Sequence, residues 1–203
     1  MILKLQDRGV LFLTNNVITI SLFDWLRGQC EVYLYSEYLH IDQLKEWKPS
    51  LIVSYNYKYL IEKDIIDYMK ENIINLHISY LPWNRGSDPN IWSFIDDTPK
   101  GVTIHQISTR LDAGKILYQK ECHFETEQET FETSYWKLNQ LIIELFKEKW
   151  EDIWTKKYIL FEQKGIGSYH KRRDLERIKE KVPFEWNDNI SDFLVRYNAF
   201  YKK

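Results

Sequence analysis

Short apolar runs alternate with helix-like patterns through the first 77 residues, and this alternation restricts the fold more than any other feature. Four runs have the length and composition of buried strands, at residues 10–13, 31–35, 51–55 and 73–77. Between them, apolar residues recur at helical spacing in residues 18–26, 41–47 and 61–70. Strands that alternate with helices form βαβ units. The sequence therefore predicts an α/β, Rossmann-like fold with a mostly parallel central sheet and helices on both faces.

Turn-forming residues crowd the segment that follows the fourth apolar run. Residues 82–101 contain three prolines and two glycines, and a binding loop is expected in such a stretch directly after a central strand. A short helix is predicted at residues 90–95, and two β-like runs follow at residues 101–108 and 115–124. Thr126 and Glu129 have the spacing of a capping box, which predicts that the longest helix begins there.

The remainder of the chain continues without a linker or a repeat. Apolar residues recur along the longest predicted helix and indicate a face that packs against the core: Phe131, Tyr135, Leu138, Ile142, Leu145, Trp150 and Trp154. After Tyr158 the chain becomes basic, and it ends in a helix-like segment at residues 193–200. We expect one domain over residues 1–203, with a short C-terminal tail from about residue 159 and no separate OB-type domain.

Charge and cysteine content argue against several classes of protein. The 203 residues carry 28 Lys and Arg against 30 Asp and Glu, a formal net charge of −2, so no nucleic-acid partner is expected. Cys30 and Cys122 lack a CxxC pattern; two reduced thiols are expected, one disulfide stays open, and no metal site is predicted. No apolar stretch approaches the ~20 residues of a membrane span, and residues 1–13 do not resemble a signal peptide. A cytoplasmic protein without membrane insertion is expected.

Common nucleotide-binding and hydrolase motifs are missing, which narrows the available chemistry. The sequence contains no GxGxxG, GxxxxGK(S/T), GxSxG or HExxH. Asn75 and His77 stand two residues apart at the end of the fourth predicted strand, so their side chains share one side of it. Open α/β sheets keep their active sites at this edge, and the pair offers an amide donor beside a proton-exchanging imidazole. His105 and His123 are interpreted as strand residues without catalytic roles.

Several sequence blocks, in the right order, resemble those of a known family. Residues 75–86, NLHISYLPWNRG, are similar to the N-x-H-x-S-x-L-P-x-x-R-G signature of formyltransferases that use N10-formyltetrahydrofolate. Residues 101–105 (GVTIH) and 111–117 (LDAGKIL) resemble further blocks of that family, and residues 54–61 (SYNYKYLI) resemble the loop that wraps its pterin ring. The loop PWNRGSDPNIW and the tail GSYHKRRDL are typical of sugar N-formyltransferases acting on nucleotide-linked amino sugars.

The resemblance implies roles for particular residues. Asn75, His77 and Asp112 match the catalytic triplet: the first two donate hydrogen bonds to the formyl oxygen, while Asp112 holds the imidazolium and relays a proton from amine to N10. The residues that correspond to folate contacts are Tyr55, Asn56, Tyr57, Tyr59, Leu60, Ile61, Arg110 and Leu111. The residues considered for substrate contact are Lys58, Trp83, Asn84, Arg85, Gly86 and Tyr169.

The implied activity is transfer of a formyl group from N10-formyltetrahydrofolate, a co-substrate, to the amine of a nucleotide-linked amino sugar, without a metal. The suggested acceptor is dTDP-4-amino-4,6-dideoxyglucose or a dTDP-3-amino-3,6-dideoxyhexose, made for a surface polysaccharide such as O-antigen. A homodimer is compatible with this activity.

Four alternatives to this activity stay open. They are formyltetrahydrofolate hydrolase, methionyl-tRNA formyltransferase, glycinamide ribonucleotide formyltransferase and a catalytically inactive folate- or nucleotide-binding module. The lack of a glycine-rich loop after the first strand disfavours the ribonucleotide enzyme, and the lack of a basic added domain disfavours the tRNA enzyme. The complete triplet disfavours the binding module, which would not need all three side chains.

Overall fold

The computed structural model describes residues 9–202 of the chain. The expectation that no signal peptide is present was drawn from residues 1–13, most of which lie outside the described residues. Among residues 9–202, no helix is both long enough and apolar enough to cross a membrane.

Eight strands form two sheets within the described residues. Their bounds are Val10–Leu13 (β1), Val32–Tyr35 (β2), Leu51–Tyr55 (β3), Ile73–His77 (β4), Arg85–Gly86 (β5), Lys100–Gln106 (β6), Ile116–Cys122 (β7) and Tyr169–His170 (β8). The central sheet has the order β2-β1-β3-β4-β6-β7, and β5 pairs with β8 in the second sheet. Strand β1 runs parallel to β2 and β3, and β3 runs parallel to β4. The predicted α/β fold with a mostly parallel central sheet is confirmed.

Seven α-helices accompany these strands in residues 9–202. Their bounds are Ile20–Arg27 (α1), Ile41–Trp47 (α2), Lys63–Met69 (α3), Pro89–Ile95 (α4), Phe131–Thr155 (α5), Arg172–Lys181 (α6) and Ile190–Tyr201 (α7). Strands β1, β3 and β4 and helix α2 have the predicted bounds. Apart from α5, the other predicted elements are present with ends shifted by about one to three residues, which is where local sequence signals are weakest.

The longest helix, α5, begins later than predicted. Its N-cap is Thr130, whose Oγ1 accepts a hydrogen bond of 3.0 Å from Thr133 N, while Thr130 N donates one of 2.9 Å to Thr133 Oγ1. Residues Thr126–Gln128 form a separate 3-10 turn, so the capping box predicted at Thr126 and Glu129 is wrong. The helix starts where its buried face starts, because Phe131 is its first fully buried residue.

The chain divides into two compact units. Unit 1 extends to His77 and includes Ile104–Ile116, while unit 2 consists of Ile78–Thr103 and the residues from Leu117 onward. The core of unit 1 contains buried residues of β1, β3 and β4 and of the helices that pack on them: Leu11, Leu13, Leu39, Leu44, Ile52, Ile65, Met69 and Ile73. The single domain predicted over residues 1–203 stays a prediction.

Unit 2 has a core of its own, to which the C-terminal segment contributes. Helices α4, α5, α6 and α7 pack together through Ile91, Trp92, Phe94, Ile95, Phe131, Leu175, Ile178, Val182, Phe184, Ile190 and Phe193. The short tail expected from about residue 159 is therefore wrong, because this segment holds β8, α6 and α7. Helix α6 escaped prediction because its ten residues include only two buried apolar side chains, Leu175 and Ile178, among eight charged ones.

Candidate active site

Three side chains that the sequence singled out meet in unit 1. Asn75 and His77 lie on β4, and Asp112 lies on the turn between β6 and β7. The Nε2 atom of His77 is 3.8 Å from Oδ2 of Asp112, and Nδ2 of Asn75 donates a hydrogen bond of 3.4 Å to Oδ1. The side chains of His77 and Asp112 are only 10% and 8% exposed, so water screens their interaction poorly. The predicted triplet forms one cluster.

The turn that carries Asp112 requires a glycine at position 114. A Cβ atom on Gly114 would lie 1.8 Å from the carbonyl oxygen of Gln106, far inside van der Waals contact. Asp112 adopts a left-handed backbone conformation with φ of 49°, which aspartate tolerates better than most residues. Ala113 N donates a hydrogen bond of 3.2 Å to Arg110 O and closes the turn. The D-x-G spacing thus presses the turn against the end of β6 and fixes the carboxylate.

A second histidine, His105 on β6, belongs to the same cluster. Its Nε2 atom is 3.6 Å from Oδ1 of Asp112 and 3.3 Å from Nδ2 of Asn75. Its ring meets the ring of His77 edge to face, with centroids 6.2 Å apart. His105 is a strand residue as predicted, its contacts with Asn75 and Asp112 were not predicted from the sequence, and its lack of a catalytic role stays a prediction. His123, by contrast, follows β7 and is exposed.

The hydrogen bonds of His105 assign its tautomer. Its Nδ1 atom is 2.8 Å from the carbonyl oxygen of Gln106, which can only accept, so Nδ1 carries a hydrogen. In the neutral ring Nε2 then has a lone pair, which accepts an N–H of Asn75. His105 therefore orients the amide of Asn75. This contact could not be predicted from the sequence, because the contact depends on β6 lying next to β4 in the sheet.

The loop between β3 and α3, residues 56–62, contains most of the predicted folate contacts. Tyr57 and Tyr59 are half-buried and pack edge to face, with ring centroids 5.4 Å apart, and Leu60 is exposed. Lys58 Nζ lies 4.7 Å from the centre of the Tyr59 ring, within the range of a cation–π interaction. The loop thus presents aromatic and apolar groups together with one cation, a surface suited to a flat aromatic ligand.

Two contacts of Tyr57 fix its phenol. Its hydroxyl donates to the carbonyl oxygen of Glu37 and accepts a hydrogen bond of 3.1 Å from Leu39 N. Burial raises the pKa of Tyr57 to about 12, although the bond from Leu39 opposes that rise. Tyr57 is therefore a neutral, fixed group at any physiological pH.

Tyr55 differs from the other predicted folate contacts. It ends β3 and is completely buried, so its side chain belongs to the core, and the predicted contact is wrong for that side chain. Asn56 has a left-handed φ of 53°, and Ile61 packs against the core of unit 1. Arg110 and Leu111 are exposed on the turn that carries Asp112.

Two of the predicted substrate contacts are structural in unit 2. Asn84 is completely buried. Its Nδ2 donates a hydrogen bond of 2.7 Å to Thr98 Oγ1, and its Oδ1 accepts a hydrogen bond of 3.1 Å from Ser168 Oγ. Gly86 has φ of 91° and lies so close to β8 that a Cβ atom would stand 2.2 Å from His170 O. The buried side chain of Asn84 cannot reach a substrate, so that prediction is wrong, whereas a backbone contact of Gly86 stays a prediction.

Arg85, Trp83 and Tyr169 complete the predicted set in unit 2. Arg85 donates from Nε and Nη2 to Gln163 Oε1, at 3.0 and 2.6 Å, so its guanidinium already fixes the segment before β8. In the β5–β8 pairing Arg85 is opposite Tyr169, whose ring is about half exposed. Trp83 is half-buried. Substrate contact stays a prediction for Trp83, Arg85, Tyr169 and Lys58.

Comparison with known sequences identifies the family to which this fold and cluster belong. Residues 34–148 match the family model described as Formyl transferase, which spans more than half of the chain. The protein belongs to this family.

In residues 9–202 there is no group of three or more His, Cys, Asp and Glu side chains that could hold a metal ion.

Two proteins illustrate the relationship. The dTDP-4-amino-4,6-dideoxyglucose formyltransferase of Mycobacterium tuberculosis is 30% identical over 149 residues, which are 73% of this chain and 62% of the relative. The chain thus spans about three fifths of the length of that relative. The formyltransferase PseJ from Anoxybacillus kamchatkensis, crystallised with UDP-4,6-dideoxy-4-formamido-L-AltNAc and tetrahydrofolate, is 38% identical with a TM-score of 0.85, covering 93% of this chain and 99% of that one.

A second solved structure supports the fold alone. The 4-N formyltransferase from Francisella tularensis has a TM-score of 0.74 at 21% identity, covering 93% of this chain and 87% of that chain. The agreement extends through unit 2 as well as unit 1, since 93% of the chain is covered.

Proposed function

We propose that this protein transfers a formyl group from N10-formyltetrahydrofolate to the C4 amine of a nucleotide-linked 4-amino-4,6-dideoxyhexose. The observation that carries the proposal is the buried cluster of Asn75, His77 and Asp112 in a member of the Formyl transferase family. Formyl transfer needs donors for an oxyanion and a group that takes up the proton of the amine, and this cluster contains both.

The folate co-substrate supplies the formyl carbon that the sugar amine attacks, and the bond from that carbon to N10 then breaks. The residues of the β3–α3 loop fit such a ligand, because Tyr57 and Tyr59 provide aromatic contact area and Leu60 an exposed apolar side chain. The exposed Arg110 adds a cation that suits the carboxylates of a folate tail.

The cluster divides the work of the reaction. Asn75 and protonated His77 donate hydrogen bonds to the developing oxyanion; the present bonds of Asn75, 3.3 and 3.4 Å long, are weak enough for an oxyanion to displace. Asp112 stabilises the imidazolium of His77 and accepts a proton from the attacking amine. That proton is passed to N10 as it leaves, so the neutral amine and the formyl donor yield an amide and tetrahydrofolate with no net change in protons.

What the two relatives share supports the proposed position of the amine. The mycobacterial enzyme is named for dTDP-4-amino-4,6-dideoxyglucose, and the Anoxybacillus enzyme was crystallised with UDP-4,6-dideoxy-4-formamido-L-AltNAc. Both sugars carry nitrogen at C4, which favours a C4 amine over the C3 amine also considered from the sequence. The nucleotides differ, and the Anoxybacillus protein matches this chain over nearly its whole length, so UDP joins dTDP as a candidate.

The test is an acceptor panel. The protein is incubated with N10-formyltetrahydrofolate and with UDP- or dTDP-linked sugars that carry the amine at C4 or C3, and products are read by mass spectrometry. We expect the wild-type protein to add the mass of one formyl group to a C4-amino sugar, and we expect no such product with the His77→Asn variant. Preferential formylation of a C3 amine contradicts the assignment of position. Release of formate at the same rate with and without an amino sugar identifies a hydrolase instead.

A further inference from the structure

Asn15, at the end of β1, joins the carboxyl ends of three neighbouring strands through its own hydrogen bonds. Its Nδ2 donates a hydrogen bond of 2.7 Å to Ser36 O, just after β2, and its Oδ1 accepts a hydrogen bond of 3.0 Å from Lys58 N. Its backbone N–H donates 3.1 Å to Asn56 O.

The strand register places this junction on the edge of the sheet that carries the catalytic residues. The pairing of β1 with β3 and of β3 with β4 aligns Leu13, Ser54 and Asn75. Two residues further along each chain segment come Asn15, Asn56 and His77. Asn15 therefore lies at the same level of the sheet as the catalytic pair on β4, although it contacts the loop and not the reacting groups.

The segment that Asn15 holds is a strained turn. Asn56 has a left-handed φ of 53°, a conformation that costs free energy for any residue with a side chain. Asn15 binds this turn on both sides, through Asn56 O and through Lys58 N. The next residues, Lys58 and Tyr59, contact each other, and Tyr57 anchors the loop a second time at Glu37 and Leu39.

We infer that Asn15 is a positioning residue for the folate loop: its amide fixes the turn at residues 56–58 and thereby pre-orders the surface that binds the co-substrate. This inference rests on the proposed function for the identity of the ligand. Asn15 is itself exposed, so its hydrogen bonds contribute little to global stability. Its removal loosens a loop that binding must then order again, and this ordering weakens affinity.

The experiment compares Asn15→Ala with Asn16→Ala by two readouts. Asn16 is the neighbouring asparagine, and its Oδ1 caps the 3-10 turn at Ile18 N instead of the loop. Hydrogen exchange should accelerate at the amides of residues 57–59 in Asn15→Ala and not in Asn16→Ala, with or without folate. Titration with tetrahydrofolate should give a dissociation constant about tenfold higher for Asn15→Ala and unchanged for Asn16→Ala, because the side-chain hydrogen bond to Lys58 N in the loop is lost together with the one that ties Asn15 to Ser36 O.

Steady-state kinetics and a conservative variant complete the test. In Asn15→Ala, KM for the formyl donor should rise with little change in kcat. Asn15→Asp, which keeps an acceptor for Lys58 N but loses the donor to Ser36 O, should give an intermediate dissociation constant. Unchanged exchange at residues 57–59 overturns the inference whatever the ligand is, and so does normal tetrahydrofolate binding by Asn15→Ala. Failure of the wild-type protein to bind tetrahydrofolate, with faster exchange still seen in Asn15→Ala, instead contradicts the proposed function.

Discussion

His105 and His77 approach different oxygens of the Asp112 carboxylate. The Nε2 atom of His105 is 3.6 Å from Oδ1, and the Nε2 atom of His77 is 3.8 Å from Oδ2. One carboxylate thus stands between two imidazoles. Only His77 is part of the predicted triplet. Because His105 Nδ1 donates to the carbonyl oxygen of Gln106, its Nε2 in the neutral ring accepts from the amide of Asn75. Under the proposed function the two histidines have different tasks: proton exchange for His77 and orientation of an amide for His105.

Replacement of His105 should slow the chemical step without weakening substrate binding. In His105→Leu the Asn75 amide loses the acceptor that orients it, and we expect kcat to fall about tenfold, the value of one well-placed hydrogen bond. KM for both substrates should stay within about twofold. His105→Gln offers an oxygen acceptor in a similar place and should recover part of the rate.

The matched control for this experiment is His123→Leu, which changes an exposed histidine outside the cluster and should leave the rate unchanged. A rise in KM for the formyl donor at constant kcat in His105→Leu would show that His105 supports binding instead. Circular dichroism of each variant checks that the fold is retained.

The sequence predicts the sheet and the triplet well and the supporting contacts poorly. The buried strands β1, β3 and β4 are continuous apolar runs, so their ends can be read directly, and Asn75 and His77 follow from strand alternation. The contacts of His105 were not predicted because they depend on β6 being placed beside β4, a long-range pairing that local patterns do not encode. Asn84 was misjudged because a polar residue in a binding motif looks the same whether it faces a ligand or a buried serine.

Asn84 provides the second prediction. Its side chain is completely buried and joins Thr98 to Ser168. In Asn84→Ala the hydroxyl groups of Thr98 and Ser168 therefore each lose one hydrogen-bond partner. We expect the free energy of unfolding to fall by about 2–3 kcal/mol, measured by urea denaturation. The KM for the sugar nucleotide, measured well below the new melting temperature, should be unchanged. Asn84→Ala with normal stability and a strongly raised sugar KM would restore the substrate role.

The start of α5 can be tested with a pair of threonine variants. Thr130→Ala removes the observed N-cap and should lower the free energy of unfolding by about 1 kcal/mol. Thr126→Ala removes the residue that the sequence pattern favoured and should change it by less than about 0.5 kcal/mol. Both changes delete the same atoms from a threonine near one helix end, so the difference between them isolates the cap. Equal destabilisation by the two variants would contradict the observed helix start.

The two cysteines should react slowly with alkylating reagents. Both are free thiols, as preferred from the sequence, and both are half-buried. Burial, with a smaller contribution from Glu31, raises the pKa of Cys30 to about 11; burial, with a contribution from Glu121, raises the pKa of Cys122 to about 11 as well. A raised thiol pKa lowers the thiolate fraction at a given pH, to about one in a thousand at pH 8.

Iodoacetamide should therefore modify the native protein about a hundredfold more slowly than a free thiol at pH 8, with a rate that rises about tenfold per pH unit up to about pH 10. Guanidinium-unfolded protein is the control and should react at the ordinary rate. Rapid modification of either cysteine in the native protein would show that the thiol is more exposed or more acidic than its surroundings imply.

The last prediction separates proton transfer from positioning at Asp112. The attacking amine must be in its free-base form, and the cluster must take up its remaining proton. The rate at subsaturating sugar should therefore rise from about pH 6 toward pH 8 in the wild-type protein. His77→Asn and Asp112→Asn should each lower turnover by at least about a hundredfold, with tetrahydrofolate binding retained. Asp112→Asn should keep this pH dependence, because the dependence reports the substrate amine, and added formate or acetate should restore part of its turnover by accepting the proton, whereas no rescue would show that Asp112 only orients His77.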